Sequence, residues 1–190
     1  MPRITLVGYR GSGKSSVAAR LASLLGCSWQ DADDVLEHEA GESIASLIAA
    51  RGEGHFRDLE STLLGRLLTA EPGVLATGGG VILREANRAV LRSRGRPVVW
   101  LTAPAEVLRV RLAADPATAA RRPPLAGTNP LDEVAAALVA REPLYREVAD
   151  AVIDVSTEPP ERIAARIATW LGRSSPQDRG SSGPAGEAIP

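Results

Sequence analysis

Short apolar runs alternate with longer segments of helical period between residue 3 and about residue 172. Most of the runs are rich in β-branched residues, which favour strands, and they cover residues 4–7, 27–30, 74–77, 97–101 and 151–155. The segments between them carry apolar residues at spacings of three and four, as amphipathic helices do. This alternation is typical of an α/β domain with a mostly parallel sheet, and we predict five strands.

Four helical segments carry an apolar stripe, which we interpret as the face that packs on the sheet. The first segment stops at Gly26, which suits a left-handed helix terminus. The third opens with Asn129 as N-cap and Pro130 at the first helical position. The stripes comprise Val17, Leu21, Leu24 and Leu25; Phe56, Leu59, Leu63 and Leu67; Leu131, Val134, Leu138 and Val139; and Ile163, Ile167, Trp170 and Leu171.

The composition changes after Gly172, where Ser, Pro, Gly and charged residues replace the apolar ones up to Ile189. Such a segment buries too little apolar surface to offset its ordering entropy. We therefore expect residues 1–172 to form a single domain and residues 173–190 to be a disordered tail. Residues 113–128 are rich in Ala, Pro, Gly and Arg, and we expect a mobile loop there.

Charge and composition exclude several classes of protein. The 22 basic residues nearly balance the 23 acidic ones, which argues against a nucleic-acid binder or a protein of acidic membrane surfaces. No apolar run approaches the ~18 residues of a membrane span, and we expect a cytoplasmic protein without a signal peptide. One cysteine, Cys27, and two distant histidines, His38 and His55, provide no structural metal site.

A phosphate-binding motif follows the first predicted strand. Residues 8–15 read Gly-Tyr-Arg-Gly-Ser-Gly-Lys-Ser and match G-x-x-x-x-G-K-[ST] between a strand and a helix, the context that this motif requires. Glycines let successive backbone N–H groups face a phosphate at the helix N-terminus, Lys14 can reach the β- and γ-phosphates, and the Ser15 hydroxyl can bind Mg²⁺. The motif predicts a nucleoside triphosphate site.

Lysine occurs once in the chain, as Lys14, whereas 21 of the 22 basic residues are arginine. The exception lies where a compact ammonium enters a ring of backbone amides, a place that a planar guanidinium fits poorly. A single lysine also rules out a regulatory GTPase, because the guanine-binding Asn-Lys-x-Asp motif needs another one. A structural or adaptor protein would leave the phosphate motif unexplained.

Acidic residues follow the second predicted strand, at the edge where a parallel sheet presents its ligands. Asp31, Asp33 and Asp34 could reach Mg²⁺ or an acceptor hydroxyl. They could equally cap the next helix, and Asp34 in particular could do only that. The sequence leaves both interpretations open.

Arg57 and Glu60 stand three residues apart in a predicted helix and fit two interpretations. One is a surface ion pair worth less than about 1 kcal/mol, which helical spacing alone favours. The other is that Glu60 holds the guanidinium as a bidentate receptor for a substrate carboxylate.

Gly78, Gly79 and Gly80 follow the third strand, and such a run indicates that something approaches the backbone closely.

Arginines are concentrated in and around the loop after the fourth strand. A solvated basic face is one explanation. The other is a lid that closes over a triphosphate, excludes water and neutralises charge on the transferring group. The arginines are Arg109, Arg111, Arg121, Arg122 and, on the next helix, Arg141.

Taken in order, these motifs resemble shikimate kinase, a family of P-loop enzymes similar to nucleoside-monophosphate kinases. Residues 3–172 carry the resemblance, which adds Phe56, the segment 122–125 (Arg-Pro-Pro-Leu) and the segment 141–145 (Arg-Glu-Pro-Leu-Tyr) to the motifs above. It implies a three-layer α/β/α fold, a five-stranded parallel sheet of order 2-3-1-4-5, a lid at about residues 112–127 and a shikimate-binding segment at about 31–60. It further implies ATP-dependent phosphorylation of the shikimate 3-hydroxyl, with Mg²⁺, in chorismate and aromatic amino-acid biosynthesis. We also expect a monomer.

The resemblance assigns the nucleotide contacts. It gives Lys14 the phosphates, Ser15 the Mg²⁺ and Asp31 a supporting role near the metal. Arg111 and a proline after the last strand would enclose the adenine, and either Pro159 or Pro160 is available, of which we choose Pro160. Arg122 would be the catalytic lid arginine, although Arg121 competes for that place. Nucleotide contacts are expected from Gly11, Ser12, Gly13, Lys14, Ser15, Ser16, Arg111, Arg122 and Pro160.

The acceptor contacts follow from the same resemblance. Asp33 would bind the acceptor hydroxyls and is a candidate base, although a loose transition state asks little of a base. Arg57 and Arg141 would hold the shikimate carboxylate, while Gly79 and Gly80 approach the ring. Gluconate kinase and nucleotide kinases of the same fold are the alternatives. The paired arginines favour a small hydroxylated monocarboxylate, which does not by itself exclude gluconate.

Overall fold

A computed structural model describes residues 4–70, 73–114, 130–173 and 187–189. Its strands form one parallel sheet of order β2-β3-β1-β4-β5-β6. Predicted strand order is confirmed for the first five strands, and each of them begins and ends within one residue of its predicted bounds. The strands are β1 Ile4–Val7, β2 Ser28–Asp31, β3 Gly73–Ala76, β4 Val98–Thr102, β5 Ala151–Asp154 and β6 Glu187–Ala188.

Helices cover both faces of the sheet and give the three-layer arrangement. The helices are α1 Lys14–Leu25, α2 Ala32–Ala40, α3 Ile44–Leu67, α4 Glu85–Arg94, α5 Ala105–Ala114, α6 Pro130–Val148 and α7 Pro160–Arg173. Alternate residues of β4 belong to different cores: Val99 and Leu101 lie in the core under α1 and α7, whereas Val98 and Trp100 lie in the core under α3 and α4. A single turn of 3-10 helix spans Val81–Leu83.

One glycine ends α1 and another interrupts α3. As predicted, Gly26 ends α1 in the left-handed conformation, with φ 62°. Gly52 interrupts α3 with φ 83°, a value that L side chains rarely adopt, so the segment that carries Arg57 has its own direction after this break.

Where the structure describes the side chains of the predicted apolar stripes, all but two are buried or partly buried. Leu24 is 59% exposed and Val139 is 74% exposed, so these two do not belong to the core face of their helices. Each lies at the margin of its stripe, next to a partly buried neighbour, Leu25 or Leu138, that packs on the core instead. Within the described ranges no helix is long and apolar enough to cross a membrane.

The prediction of a disordered tail over residues 173–190 is wrong for four of its residues. Arg173 still belongs to α7, and Glu187–Ala188 form β6, which extends the sheet beyond β5. Ile189 then lies in the core with 4% of its surface exposed. Composition did not predict this strand, because backbone hydrogen bonds and one buried side chain stabilise it. Neither depends on the polar residues that precede the strand.

Candidate functional site

The loop after β1 has a backbone that glycine alone adopts readily. Gly11 and Gly13 have φ values of 80° and 82°, and Gly13 is the N-cap of α1. A Cβ on Gly11 would lie 3.2 Å from Cγ of Leu112, because the loop packs against α5. Ser12 is buried, whereas Ser15 and Ser16 are exposed in the first turn of α1. The loop therefore presents the N-terminus of α1, which favours anions.

Lys14 lies over this loop and is 9% exposed. Its Nζ donates hydrogen bonds to the carbonyl oxygens of Gly8 and Tyr9, at 2.9 and 3.1 Å. Burial lowers the pKa of the Lys14 ammonium, and the negative charges of Asp33 and Asp31 act in the opposite direction. A cation is thus fixed where a phosphate chain at the helix terminus would lie.

Asp31 has two roles at the end of β2. Its Oδ1 accepts hydrogen bonds from the backbone N–H groups of Asp33 and Asp34, at 2.9 and 3.4 Å, and so caps α2. Its Oδ2 accepts a hydrogen bond from the Ser15 hydroxyl of the phosphate loop. The helix-cap interpretation of the acidic cluster therefore applies to Asp31 and not to Asp34, and the second oxygen of Asp31 lies beside the phosphate loop.

Hard oxygen atoms thus meet beside the phosphate loop, from the Ser15 hydroxyl and the Asp31 carboxylate. The described residues contain no group of three or more His, Cys, Asp or Glu side chains that could hold a metal ion. Mg²⁺ needs no such group, since it is usually bound through one or two protein oxygens together with phosphate oxygens and water. The residues present fit this ion.

Two carboxylates converge on Gly78. A Cβ on this glycine would lie 2.7 Å from Oδ1 of Asp33 and 2.9 Å from Oε1 of Glu60. The Glu60 Oε1 atom is buried and accepts no hydrogen bond from the described residues. Acceptor oxygens from two helices are therefore concentrated at one point beside the end of β3, as hydroxyl recognition requires.

Arg57 is buried, with 6% of its surface exposed, and Glu60 is 5% exposed. The interpretation of this pair as a surface ion pair is therefore wrong. Arg57 Nη1 donates to Oε2 of Glu60 at 2.8 Å, and Nη2 donates to Oε1 of Glu53 at 2.9 Å. Burial alone lowers the pKa of Arg57, but the charges and hydrogen bonds of Glu60 and Glu53 outweigh it and raise the pKa. This guanidinium is permanently charged and rigidly oriented.

The glycines after β3 lie between the two arginines of the predicted acceptor site. A Cβ on Gly80 would lie 2.8 Å from Cζ of Arg57, while Arg141 Nη1 approaches the carbonyl oxygen of Gly79 at 3.4 Å. The same carbonyl accepts a hydrogen bond of 2.6 Å from the hydroxyl of Tyr145. A close approach to the glycines is thus confirmed, and the approaching groups are protein side chains and the phosphate loop itself, through Arg10 N at Gly79.

Arg111 connects α5 to the segment that follows β5. Its Nη2 donates to the carbonyl oxygens of Val155 and Ser156, at 2.6 and 3.4 Å. The carbonyl of Pro159 caps the helix that begins at Pro160. Arg111 and the proline segment predicted to enclose the adenine therefore lie at the same part of the sheet edge.

The remaining predicted residues are exposed or lie outside the described residues. Arg109 is exposed on α5. Arg121, Arg122 and Asn129 lie outside the described residues, as does the predicted lid beyond Ala114.

Sequence reasoning missed three residues of this site. Glu53 precedes Arg57 by four residues, a spacing that predicts a helical ion pair. Tyr145 follows Arg141 by four and so shares its helix face. Tyr9 had no local signal: its ring centroid lies 5.1 Å from Cζ of Arg141, a contact between the phosphate loop and α6.

All of these groups lie beyond the carboxyl ends of parallel strands, where open α/β sheets bind ligands. Asp31 is level with Ala76 of β3, and Ala76 is level with Leu6 of β1. The sheet edge thereby places three features side by side: the phosphate loop with Lys14, the contact of the Ser15 hydroxyl with the Asp31 carboxylate, and the buried Arg57. The fold and the site define a P-loop phosphotransferase.

The family model of shikimate kinase matches residues 10–172. Shikimate kinase of Rhodopirellula baltica is 45% identical over 162 residues, which are 85% of this chain and 86% of that protein. The structure of shikimate kinase from Acinetobacter baumannii in complex with shikimate has a TM-score of 0.83 at 37% identity, covering 90% of this chain and 93% of that one. The chain belongs to the shikimate kinase family.

A more distant structural neighbour shares only the fold. Gluconokinase from Sinorhizobium meliloti 1021 has a TM-score of 0.52 at 20% identity, covering 90% of this chain and 95% of that one. The comparisons therefore do not favour the gluconate alternative, since this chain resembles the gluconokinase in fold alone.

Proposed function

We propose that this chain transfers the γ-phosphate of ATP to the 3-hydroxyl of shikimate, giving shikimate 3-phosphate and ADP. The observation that carries the proposal is the buried Arg57, oriented by Glu60 and Glu53 beside the glycines that follow β3. A permanently charged fork at this place suits a monocarboxylate acceptor next to a triphosphate site. Membership of the shikimate kinase family identifies that acceptor.

The phosphate loop supplies the donor contacts in this proposal. Backbone N–H groups of Gly11, Ser12, Gly13, Lys14, Ser15 and Ser16 bind phosphate oxygens. The Lys14 ammonium leaves its two carbonyl partners and pairs with the β- and γ-phosphates, where it offsets charge that moves during transfer.

Mg²⁺ is the metal we propose, with Ser15 as direct ligand and Asp31 beside it. When bound, the ion neutralises charge on the β- and γ-phosphates. Asp31 keeps the Ser15 hydroxyl in place, and because the same carboxylate caps α2, the position of that helix and of Asp33 is coupled to the metal ligands.

Acceptor binding involves Asp33, Arg57, Gly79, Gly80 and Arg141. The two arginines bind the shikimate carboxylate, Asp33 accepts hydrogen bonds from the ring hydroxyls, and the ring lies against the glycine backbone. The 3-hydroxyl oxygen attacks the γ-phosphorus while the bond to the β-phosphate oxygen breaks. The hydroxyl proton leaves late to Asp33 or to phosphate, since the loose transition state needs little basic assistance.

Adenine lies between Arg111 and Pro160 in the proposed complex, at the segment that Arg111 already contacts. Arg122 of the lid, at about residues 112–127, neutralises charge on the transferring phosphoryl group and is the third catalytic residue with Lys14 and Asp33. We further propose a monomeric cytoplasmic enzyme of one domain, residues 1–172, without nucleic-acid or membrane partners.

Parallel assays of ADP release with shikimate, gluconate and nucleoside monophosphates test the proposal. Purified protein with ATP and Mg²⁺ is expected to turn over shikimate alone among these acceptors. Turnover with gluconate or a nucleoside monophosphate and none with shikimate would overturn the assignment. Omission of Mg²⁺ in the presence of a chelator is expected to abolish the activity.

A further inference from the structure

The strand β6 extends the sheet on the side where the proposed adenine site lies. Glu187 N donates to the carbonyl of Asp150 at 3.2 Å, and Ile189 N donates to that of Val152 at 2.9 Å. The Ile189 side chain is 4% exposed and belongs to the core that contains Trp170. This short segment is therefore firmly docked against β5.

Arg166 of α7 joins the docked strand to the segment that leads out of β5. Its Nη2 donates to the carbonyl oxygen of Ile189 at 2.7 Å, and its Nη1 pairs with the carboxylate of Glu158. Glu158 directly precedes Pro159 and Pro160. One guanidinium thus bridges β6 and the proline segment.

The opposite side of that segment is held by Arg111, through the carbonyl oxygens of Val155 and Ser156. In addition, Val155 N donates to the carbonyl of Thr102 at 2.9 Å. Residues 155–160 are therefore fixed between the proposed adenine contact, Arg111, and the bridge from Arg166 to β6.

We propose that β6 is a positioning element for the nucleotide: through Arg166 and Glu158 it holds the segment with Pro160 in the geometry that binds adenine. The inference rests on the proposed placement of the adenine. Because coupling between two binding events is reciprocal, nucleotide binding in turn stabilises the docking of β6.

Steady-state kinetics of two variants test the first half of this proposal. Ile189→Asp places a charge in the core and undocks β6, whereas Arg166→Met removes the bridge and keeps an aliphatic stem. Each is expected to raise the KM for ATP about fivefold, the lower range of allosteric couplings, while the KM for shikimate changes less than twofold. The matched control is Arg66→Met, which removes another arginine paired with a carboxylate, that of Glu39. An unchanged KM for ATP in Arg166→Met, or equal rises for both substrates, would overturn the proposal.

Fluorescence of Trp170 tests the reciprocal half without turnover. This side chain is 7% exposed and its Nε1 donates to the Glu187 carboxylate at 3.5 Å, so it reports the docking of β6. Trp29→Phe removes the one exposed tryptophan of the described residues, and Trp100, 5% exposed, contributes a constant buried signal. In the Trp29→Phe Ile189→Ala protein, where docking is weakened, saturating ADP is expected to reduce acrylamide quenching about twofold.

The proposal requires that the effect of ADP on quenching depends on the bridge from Arg166 to β6 and Glu158. Adding Arg166→Met to the same protein is expected to abolish the effect of ADP on quenching, and an identical response in both proteins would contradict the proposal. This readout involves no acceptor. A failure of the proposed function would instead appear as absent shikimate turnover in the unmodified chain with the ADP response retained.

Discussion

The donor and acceptor ends of the site are built in different ways. In the proposed function, phosphate recognition depends on one continuous stretch, residues 8–16, which offers backbone N–H groups and the ammonium of Lys14. The proposed acceptor recognition depends instead on side chains from α2, α3 and α6 and on the turn after β3. The first is a local motif, whereas the second exists only when four elements are assembled.

The two ends also differ in how their charges are held. Lys14 is bound by two neutral carbonyl groups, so it can change partners at little electrostatic cost. Arg57 is bound by two carboxylates and is buried against Gly80, so it keeps its place whether or not an acceptor is present. We infer that the donor end follows charge as it moves during transfer, and that the acceptor end supplies a rigid template.

The largest expected effect is at the donor end. Lys14→Met is expected to lower kcat by at least about 10²-fold, because it removes a cation that stabilises charge in the transition state. Lys14→Arg should lower kcat nearly as much, since a planar guanidinium does not replace a compact ammonium inside the loop. ADP-release kinetics measure both variants, with circular dichroism as the control for folding. Near-normal activity of Lys14→Arg would contradict the account of the single lysine.

The lid arginine is expected to come next and would extend the donor end beyond the described residues. Arg122→Ala should lower kcat about 10²-fold or more with a smaller change in either KM, because it removes a charge that acts on the transferring group. Arg121→Ala is the matched control and should have a minor effect. A greater loss of kcat in Arg121→Ala would exchange the two assignments.

Arg57→Ala tests the rigid acceptor end, and it should change a KM value, whereas the variants of Lys14 and Arg122 change kcat. We expect the KM for shikimate to rise about 30-fold or more, the effect of truncating one partner of a buried charge pair, with little change in the KM for ATP. Glu60 is left buried and unpaired, so the free energy of unfolding should fall by about 3 kcal/mol.

Arg57→Lys controls for that loss of stability. It keeps a positive charge beside Glu60 but lacks the fork, so we expect nearly normal unfolding in urea and an intermediate rise in the KM for shikimate. Equal rises in the KM values for ATP and shikimate would contradict the division between the two ends.

Tyr145→Phe is expected to have the smallest effect of these variants, and it tests a single hydrogen bond. It removes the 2.6 Å hydrogen bond to the carbonyl of Gly79 while keeping the ring stacked on Trp100. Loss of a hydrogen bond worth about 1 kcal/mol should raise the KM for shikimate about fivefold and leave that for ATP unchanged. Substrate titrations at fixed ATP measure this effect. If instead only the Tm falls and both KM values are unchanged, Tyr145 supports the fold and not the acceptor site.

Sequence reasoning reached the donor end more fully than the acceptor end, for a physical reason. The phosphate loop depends on contiguous residues, so its glycines and Lys14 could be read directly, together with the strand and helix around them. Without the family resemblance, Arg57 and Glu60 could be recognised only as a pair at helical spacing, because their burial depends on how α3 packs on the end of β3. The contact of Tyr9 with Arg141 and the docking of Ile189 join segments distant in the chain, and no local pattern predicts them.

The glycines after β3 restrict how this enzyme could acquire a different acceptor. At Gly80 the space for a first carbon is already filled by the Arg57 guanidinium, and at Gly78 by the carboxylates of Asp33 and Glu60. Even alanine at either position would displace side chains that line the proposed acceptor site, so substitutions in the turn cannot reshape that site by small steps. A lineage that changes its substrate must therefore alter the arginines or carboxylates first, and pass through a form with a weakened acceptor site.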